Sequence, residues 1–494
     1  MFSDKGLSMK GVQTIVSAIV MHCFLLFTLY PTVMLAYDLP DMGDSTIHSI
    51  SRTQEELLGR EIMQKVRQSP LYNSDPIVTG YVRTLGTRLA AGAGHAHDDF
   101  YFFVINDPRV NAFALPGGYI GINAGLILVA ENESEVAGVM AHEMAHVTQR
   151  HIARMFERSQ SLSWPMMAAL LGSLILASQN PALGSSAMAT ALAGANQDMI
   201  NFTRSNEEEA DRIGMQMLVD AQYDPNGMST FFGRMAQANK YNDSFYVPDF
   251  LRTHPVNSAR IADAKTRAQG YKVVPQGSEL SFQLIRHRLQ VLFGNPTLNT
   301  IAYYEAELKK PNKNASPAWH YGYSLALAEK GRFAEAEAQL LQLMATNRQE
   351  KIYRLTLAQV YQQQHQYPKA LTVLKETLVL YPNDEAVVLQ TAQALTDAKQ
   401  YQEVRVLLEK QVRTIRNNPQ YYHLLAQAQS KLNNPQGSYM ARAEYYALED
   451  DLHSAVRELK RAQAENKKSA YLQAKIAARL KVLEEQLELR DELQ

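Results

Sequence analysis

Apolar residues recur at helical spacing through most of the chain, and β-forming residues cluster in one region near its start. Residues from about 47 to 88 are predicted to be helical, because several apolar side chains fall on one face. A run of β-formers at 101–105 predicts a strand. In 111–122 two short β-like runs flank Pro116-Gly117-Gly118, which predicts a hairpin or bent strand pair with a strand at a sheet edge.

Further helices are predicted after the hairpin. One spans about 131–159, with Asn132 or Ser134 as its N-cap, and an acid-rich helix spans 206–221. Between them, residues 164–195 are apolar with a Pro-Gly break. We predict a buried helical hairpin there. A mobile lid or a membrane-touching flap near a functional site is the alternative.

The C-terminal part of the chain is predicted to be almost all helical and to repeat every 34 residues. Each repeat places a small residue, an aromatic, a second small residue and a leucine at fixed positions: Ser324, Phe333, Ala336 and Leu340; Ala358, Tyr367, Ala370 and Leu374; Ala392, Tyr401, Val404 and Leu408. The same internal spacing recurs out of phase at Ala443, Leu452, Ala455 and Leu459. This is the tetratricopeptide pattern, in which small residues lie where paired helices touch. A period kept three times disfavours a non-repeating bundle.

Composition narrows the class of protein. A chain of 494 residues is too long for one ordinary domain, and 46% hydrophobic with 20% charged residues indicates a globular protein rather than a disordered one. The 49 basic and 50 acidic residues leave a formal charge of −1. That balance gives no electrostatic basis for binding nucleic acid, which we exclude as a partner.

The N-terminus carries a targeting pattern. Lys5 and Lys10 precede an apolar stretch at 12–35, and Ala36 is a candidate cleavage residue. We predict a signal peptide at 1–36. The stretch is also long enough to stay as an uncleaved anchor. Cys23, the only cysteine, lies inside it, so the mature chain has no disulfide, which favours a bacterial periplasm.

Residues 142–146, His-Glu-Met-Ala-His, suggest a metal site. On a helix His142 and His146 lie one turn apart on one face, so both imidazoles can reach one ion. Zinc accepts two imidazoles and a carboxylate and keeps a fourth position for water. Glu143 could then take a proton from that water during peptide hydrolysis. The alternative is a pair of surface histidines on a solvated helix. It is disfavoured because the helix is apolar around most of its circumference.

A third ligand is available in the acidic run at 206–211. Glu207 and Asp211 are also one helical turn apart. Glu207 can ligate zinc, while Asp211 can hold the second nitrogen of a ligand histidine or help to handle the proton. By itself the run could be an ordinary solvated helix cap. The edge strand before the histidine helix adds support, because extended peptides often bind by adding a strand to such an edge.

These motifs together resemble the gluzincin family that contains the CAAX prenyl endopeptidase and the bacterial heat-shock membrane protease. The resemblance rests on AFALPGGYIGINAGLI at 112–127, HEMAH at 142–146, EEEAD at 207–211 and THPVNSARI at 253–261. It implies one zinc ion per chain, bound by His142, His146 and Glu207, with Glu143 as the catalytic glutamate and Asp211 as its acidic partner.

The family pattern also draws attention to His254, in Thr-His-Pro. The resemblance implies that His254 can occupy the fourth zinc position as a regulatory ligand, silencing the enzyme when bound and steadying the oxyanion when released. Arg252 and Arg260 are rival candidates for stabilising transition-state charge. The resemblance implies a C-terminal disulfide that fixes the repeats, and the chain departs from that pattern because it has no cysteine outside the predicted signal segment.

The predicted fold is mainly α: an α+β gluzincin metallopeptidase domain with a short edge-strand sheet, followed by an all-α tetratricopeptide solenoid. We expect the peptidase at 45–270, linker and connecting helices at 271–310 and the repeats at 311–494.

The signal segment and repeat tail resemble those of the family members of the Gram-negative periplasm. They imply an endopeptidase that degrades misfolded or stalled outer-membrane proteins and assists their assembly, with repeats that recruit the outer-membrane β-barrel assembly machinery. Peripheral membrane association is compatible with this function. The alternative from another class is a chaperone or scaffold whose peptidase site is normally shut. A membrane-embedded protease would need several spanning helices, and only one segment qualifies.

Overall fold

Helices dominate the structure, as the apolar periodicity predicts. The computed structural model describes residues 51–95, 99–158, 197–241, 249–273, 275, 279–294, 299–314, 316–411, 417–465 and 469–493. The predicted signal segment at 1–36 and the apolar segment at 164–195 lie outside the described residues. Within the described ranges no helix combines the length and apolarity needed to cross a membrane.

The N-terminal helical region consists of two helices rather than one. Helix α1 spans Arg52–Arg67 and begins with a capping box between Ser51 and Gln54; α2 spans Pro76–Gly92 and begins at Asp75, whose side chain accepts two backbone N–H groups. Of the region predicted to be helical, 52–67 and 76–88 are helical and the segment between them is not, while residues 47–50 lie outside the described residues. Asp75-Pro76 is a helix-start signal, because the proline supplies the φ of a first turn and needs no hydrogen bond there.

The predicted strand and hairpin are confirmed. Strands β1 (Tyr101–Ile105), β2 (Ala112–Leu115) and β3 (Tyr119–Asn123) form one sheet in the order β1-β3-β2. Strand β3 runs parallel to β1 and antiparallel to β2, so β2 is an edge strand. Pro116 lies in the turn between β2 and β3, where Gly117 and Gly118 have φ of +75° and +82°.

The turn of this hairpin rests on α1 through a glycine. Gly59 faces the turn, and a Cβ atom placed there would lie 2.0 Å from the carbonyl oxygen of Pro116. That oxygen belongs to the main chain of the turn, so it cannot move aside as a flexible side chain could. The absence of a side chain at residue 59 therefore sets how closely α1 and the hairpin approach.

The remaining helices of the N-terminal half follow the sheet along the chain, and the first two of them pack against its strands. They are α3 (Ala124–Val129), α4 (Glu133–Thr148), α5 (His151–Arg158), α6 (Gln197–Asp220), α7 (Asn226–Tyr241), α8 (Asp249–Thr253) and α9 (Ser258–Gln269). Helix α4 begins at Asn132, as predicted, and packs against α6, α7 and β2. The predicted helix over 131–159 is interrupted at Arg150, which has a φ of +52°. The acid-rich helix begins earlier than predicted, at residue 197.

Helices alone make up the described C-terminal half. They are α10 (Glu279–Phe293), α11 (Thr300–Leu308), α12 (Pro311–Asn314), α13 (Pro317–Glu329), α14 (Phe333–Thr346), α15 (Lys351–Gln363), α16 (Tyr367–Leu380), α17 (Glu385–Asp397), α18 (Tyr401–Gln411), α19 (Pro419–Lys431), α20 (Pro435–Leu448), α21 (Leu452–Glu465) and α22 (Ala470–Leu493). From α13 onward, consecutive helices pack side by side as pairs.

The 34-residue period corresponds to these helix pairs. The three pairs α13/α14, α15/α16 and α17/α18 place the predicted small and leucine positions in their interior. The members of this set are fully buried: Ser324, Ala336, Leu340, Ala358, Ala370, Leu374, Ala392, Val404 and Leu408. The repeat prediction is therefore confirmed in its spacing and in the burial that explains it.

The N-terminal half and the repeats share one apolar core. It runs without interruption from Ile77 in α2 to Ala428 in α19. Arg288 of α10 is buried beside it and donates to Asp75, the cap of α2, at 2.6 and 2.9 Å, and also to Gln359 of α15 at 2.8 Å. A buried arginine needs such partners, so this contact ties α2 to the repeats.

Substituting Gly59 tests the close approach of α1 and the hairpin. Gly59→Ala is expected to lower the free energy of unfolding by about 1–3 kcal/mol, because the added methyl group overpacks a backbone contact. Gly233 in α7 is the matched control, since a Cβ there meets no atom within 4 Å. Gly233→Ala should stabilise by about 0.5–1 kcal/mol through its helix propensity. Chemical denaturation measures both; equal effects of the two substitutions would contradict the contact.

Candidate metal centre

Three segments bring polar side chains into the apolar interior of the N-terminal half. Helix α4 carries His142, Glu143 and His146, of which the first two are almost completely buried among Val139, Met140 and Met144. Helix α6 carries a second set, Glu207 and Asp211, one turn apart. The third segment joins α8 to α9. Such groups are costly to bury unless they bind one another or an ion.

The sequence-predicted ligands lie together. One donor atom from each of His142, His146, Glu207 and His254 falls within 4.8 Å of all the others. The Nε2 atoms of His142 and His146 are 3.0 Å apart, and Oε1 of Glu207 lies 3.4 Å from Nε2 of His146. His142, Glu207 and His254 are buried, while His146 is partly exposed at one side.

His254 lies inside this cluster rather than in a surface loop. Its Nδ1 atom is 3.0 Å from Oε1 of Glu207 and 3.3 Å from Nε2 of His142. Its Nε2 atom is 3.3 Å from Oε1 of Glu143. The ring stacks on Phe250 of α8 with centroids 5.0 Å apart, which orients it. His254 therefore contacts both the ligand-type carboxylate and the glutamate of the motif.

Each of the two α4 histidines has a polar group of the protein next to its Nδ1 atom. Oδ1 of Asp211 lies 3.0 Å from Nδ1 of His142. Because a carboxylate only accepts, we assign the proton of neutral His142 to Nδ1, which leaves a lone pair on Nε2. His146 has His151 behind it, with their Nδ1 atoms 2.7 Å apart, and Nε2 of His151 lies 3.2 Å from Oε2 of Glu209.

This arrangement fits a bound cation. When both α4 histidines carry their protons on Nδ1, two Nε2 lone pairs face each other across 3.0 Å, beside the carboxylate of Glu207. Lone pairs at that distance repel unless a proton or a metal ion lies between them. Two or three imidazoles with one carboxylate are a donor set that divalent zinc accepts. The residues present therefore suit the metal that the motif suggests.

The pKa values express the same charge balance. Burial disfavours the imidazolium of His142, but the hydrogen bonds and charges of Asp211 and Glu207 outweigh burial and raise its pKa to about 10. Burial and the positive charge of His142 lower the pKa of His146. Burial would raise the pKa of Glu207, but His254 and His142 hold it well below the usual range. The carboxylates therefore favour one positive charge, carried by a proton or by a cation, at the point where the donor atoms meet.

Arg260 supports the carboxylates of α6. Its Nε and Nη2 atoms donate to the two oxygens of Asp211 at 2.6 and 2.7 Å, and Nη1 lies 2.9 Å from Oε2 of Glu207. Arg260 is only 3% exposed. Of the two arginines predicted to stabilise transition-state charge, Arg260 is at the site with its donors engaged by carboxylates, whereas Arg252 is exposed. From this geometry we assign Arg260 the role of fixing the carboxylates of Asp211 and Glu207 on α6.

Sequence reasoning missed His151 and Glu209. His151 follows His146 by five residues, and on a continuous helix such residues point about 140° apart at 100° per residue. The break at Arg150 removes that separation, and a left-handed arginine has no sequence signal. The only available hints were the histidine itself and the third glutamate of the acidic run.

A cavity of about 650 Å³ opens beside His146. The groups around it come from α1, the hairpin turn, the α4–α5 connection and the C-terminal helices, and most of its charged groups are basic, among them Arg60, Arg150 and Arg479. Tyr119 and Leu115 supply apolar surface. An extended chain entering this cavity would pass the partly exposed His146 and the end of β2.

Comparison with known proteins identifies similar chains. The profile of Peptidase family M48 matches residues 76–268, and a tetratricopeptide repeat profile matches 361–428. The beta-barrel assembly-enhancing protease of Escherichia coli (strain K12) is 34% identical over 445 residues, which is 90% of each chain. That of Yersinia pestis is 32% identical over 443 residues, again 90% of each. The mitochondrial metalloendopeptidase OMA1 of Schizosaccharomyces pombe is 31% identical over 202 residues, 41% of this chain and 56% of its own.

Removing Arg260 should destabilise the protein strongly. Arg260→Leu leaves Asp211 and Glu207 buried without their counter-ion, so we expect a loss of about 3–5 kcal/mol in the free energy of unfolding. Arg267 on the same helix is the control, because its pair with Asp263 is exposed and Arg267→Leu should change stability by less than about 1 kcal/mol. Thermal denaturation without metal measures both; a small effect at residue 260 would refute the supporting role.

Proposed function

Because the chain belongs to the beta-barrel assembly-enhancing proteases of peptidase family M48, we propose that it is a zinc-dependent endopeptidase of the bacterial periplasm. In this proposal it degrades misfolded or stalled outer-membrane proteins and assists their assembly. The observation that carries the proposal is the buried cluster of His142, His146, Glu207 and His254, with Glu143 at its side.

The proposed zinc ligands are His142, His146 and Glu207. Bound there, zinc would polarise the scissile carbonyl and lower the pKa of a water molecule. The carboxylate of Asp211 behind His142 favours the tautomer of that histidine whose Nε2 carries a lone pair, and Arg260 holds Glu207 in place. These outer contacts support a site built for a metal, because ligand histidines generally donate their other N–H to a protein acceptor.

Glu143 is the proposed general base, with Asp211 as an acidic partner behind His142. Glu143 is 1% exposed, and its Oε1 faces the cluster, 3.3 Å from Nε2 of His254. A carboxylate in this position can take a proton from an attacking water and later deliver it to the leaving amine.

His254 is the proposed gate. In its present position it contacts Glu207 and Glu143 together, so it fills the space where water and substrate would meet. Moving it out would free Glu143 and leave an imidazole N–H able to donate to the oxyanion of the tetrahedral intermediate. The position of His254 also favours a second candidate function, a chaperone or scaffold for outer-membrane protein assembly whose peptidase site is normally shut.

Substrate and partner binding are proposed for different surfaces. Edge strand β2 lies against α4 and can accept an extended substrate through main-chain hydrogen bonds. The paired helices form the kind of extended surface that binds proteins, and we propose that they recruit the β-barrel assembly machinery. We also propose the division of the chain into a peptidase domain at 45–270, connecting helices at 271–310 and repeats at 311–494. It is supported by α10, a helix of the connecting region, which packs against α2 of the peptidase domain and against α13 of the repeats.

Two substitutions test the chemistry. Glu143→Gln should retain about one zinc ion per chain but lower peptidase activity by about 10²- to 10⁴-fold, because the base is lost while the proposed ligands remain. Glu207→Gln should lose the zinc. Metal content by mass spectrometry and cleavage of an unfolded outer-membrane protein are the measurements. Wild-type protein purified without chelators that holds no metal would refute the enzyme reading of the site.

Loss of the gate should raise activity. In His254→Ala the imidazole no longer fills the space beside Glu143, so we expect faster cleavage of an unfolded outer-membrane protein than by the wild type. His287→Ala is the control, since that buried histidine bonds Tyr304 among the C-terminal helices and is outside the cluster. A slower His254→Ala enzyme would mean that the imidazole contributes more to oxyanion stabilisation than to blocking the site.

A further inference from the structure

Residues that have no role in the proposed mechanism make a second contact to the metal cluster, from its outer side. They belong to α5 and α6. His151 begins α5 and is 4% exposed. One of its ring nitrogens, Nδ1, is 2.7 Å from Nδ1 of His146, and the other, Nε2, is 3.2 Å from Oε2 of Glu209 on α6. Arg154 donates to the same carboxylate oxygen at 2.7 Å.

The backbone between His146 and His151 is bent in a way that produces this contact. Helix α4 ends at Thr148, and Arg150 takes a φ of +52° before α5 begins. For a residue other than glycine this conformation is unfavourable. The guanidinium of Arg150 donates to Oε1 of Glu55 on α1 at 2.7 and 3.0 Å, which anchors the bend. An unfavourable conformation is therefore maintained at the residue that turns His151 back towards His146.

We propose that His151 is a positioning residue for the metal centre, which holds His146 in its ligand tautomer by accepting the Nδ1–H of that residue. The proposal rests on the assignment of His146 as a metal ligand through Nε2. A histidine that ligates through Nε2 carries its proton on Nδ1, and that proton must be accepted by a lone pair on the nearby Nδ1 of His151.

The same reasoning extends to Glu209. If Nδ1 of His151 accepts, its proton lies on Nε2 and points to the carboxylate of Glu209. Glu209 is thus the acceptor that sets the tautomer of His151, and Arg154 holds Glu209. The series of contacts from Glu209 through His151 to His146 corresponds to the series from Arg260 through Asp211 to His142, the other ligand histidine. The difference is that Glu209 and Arg154 are about one-third exposed, whereas Arg260 and Asp211 are buried.

The test is zinc affinity of the full chain, measured with Zn²⁺ against a chromophoric chelator. His151→Phe keeps an aromatic ring but has no acceptor, so zinc should bind about 10- to 100-fold more weakly. His151→Asn places Oδ1 where Nδ1 was and can still accept from His146, so its affinity should stay close to the wild-type value. Rescue by asparagine separates an acceptor role from simple packing.

Glu209 provides an independent variant. Glu209→Leu should weaken zinc binding in the wild-type background but should add no further weakening to His151→Asn, because in that background the carboxylate no longer acts on residue 146. If His151→Phe fails to fold, as judged by thermal melting of the metal-free protein, this pair of measurements still decides the question. Arg267→Leu, on an exposed pair, is the control for surface substitution.

The outcomes are distinguishable from failure of the proposed function. Loss of zinc in His146→Ala with unchanged affinity in His151→Phe would overturn the positioning role and leave the ligand set standing. Zinc binding as weak in His151→Asn as in His151→Phe would overturn it too, because only the asparagine variant keeps an acceptor for the Nδ1–H of His146. A wild-type chain that binds no zinc would instead overturn the proposed function from which this role follows.

Discussion

The site depends on one electrostatic constraint: two imidazole nitrogens, a carboxylate and a third imidazole meet in an apolar interior and must share a positive charge. Uncompensated, such a group of donors would be expelled towards water or would rearrange. In this structure, polar residues around the cluster compensate the cost of burying these donors. Asp211 and Arg260 stand behind His142, and His151 stands behind His146. Most polar contacts of α4 and α6 near the site serve this arrangement.

Regular features of the fold could be predicted from the sequence because they repeat. Apolar spacing predicts α4, the 34-residue period predicts the paired helices, and Pro116-Gly117-Gly118 predicts the hairpin. The donors His142, His146 and Glu207 could also be predicted from the sequence. Helical spacing places the two histidines of α4 on one face of that helix, and it does the same for Glu207 and Asp211 of α6. His254 required the resemblance to a family, since a single histidine before a proline carries no geometric information.

Irregular features could not be predicted. The left-handed Arg150 has no composition signal, and without the break at that residue His151 would point away from His146. The start of α6 was misplaced because Asn206 and the glutamates after it look like a helix cap, although they lie inside a helix that begins at residue 197. Arg260 looked like a group for substrate charge, but its buried partners are carboxylates of the protein. In each case the deciding contact joins segments distant in sequence or follows from one unusual φ.

Continuity of the apolar core between α2 and the repeats has a consequence for how the molecule is made. Arg83 of α2 pairs with Glu385 at the start of α17, and a Cβ on Gly80 would lie 3.3 Å from the methyl group of Ala386. Chains emerge from the ribosome N-terminus first. One face of α2 therefore has nothing to pack against until some three hundred further residues have been synthesised. Because α2 also packs against the ligand-bearing helices α4 and α6, we expect the site of a newly made chain to become fully rigid only after its repeats exist.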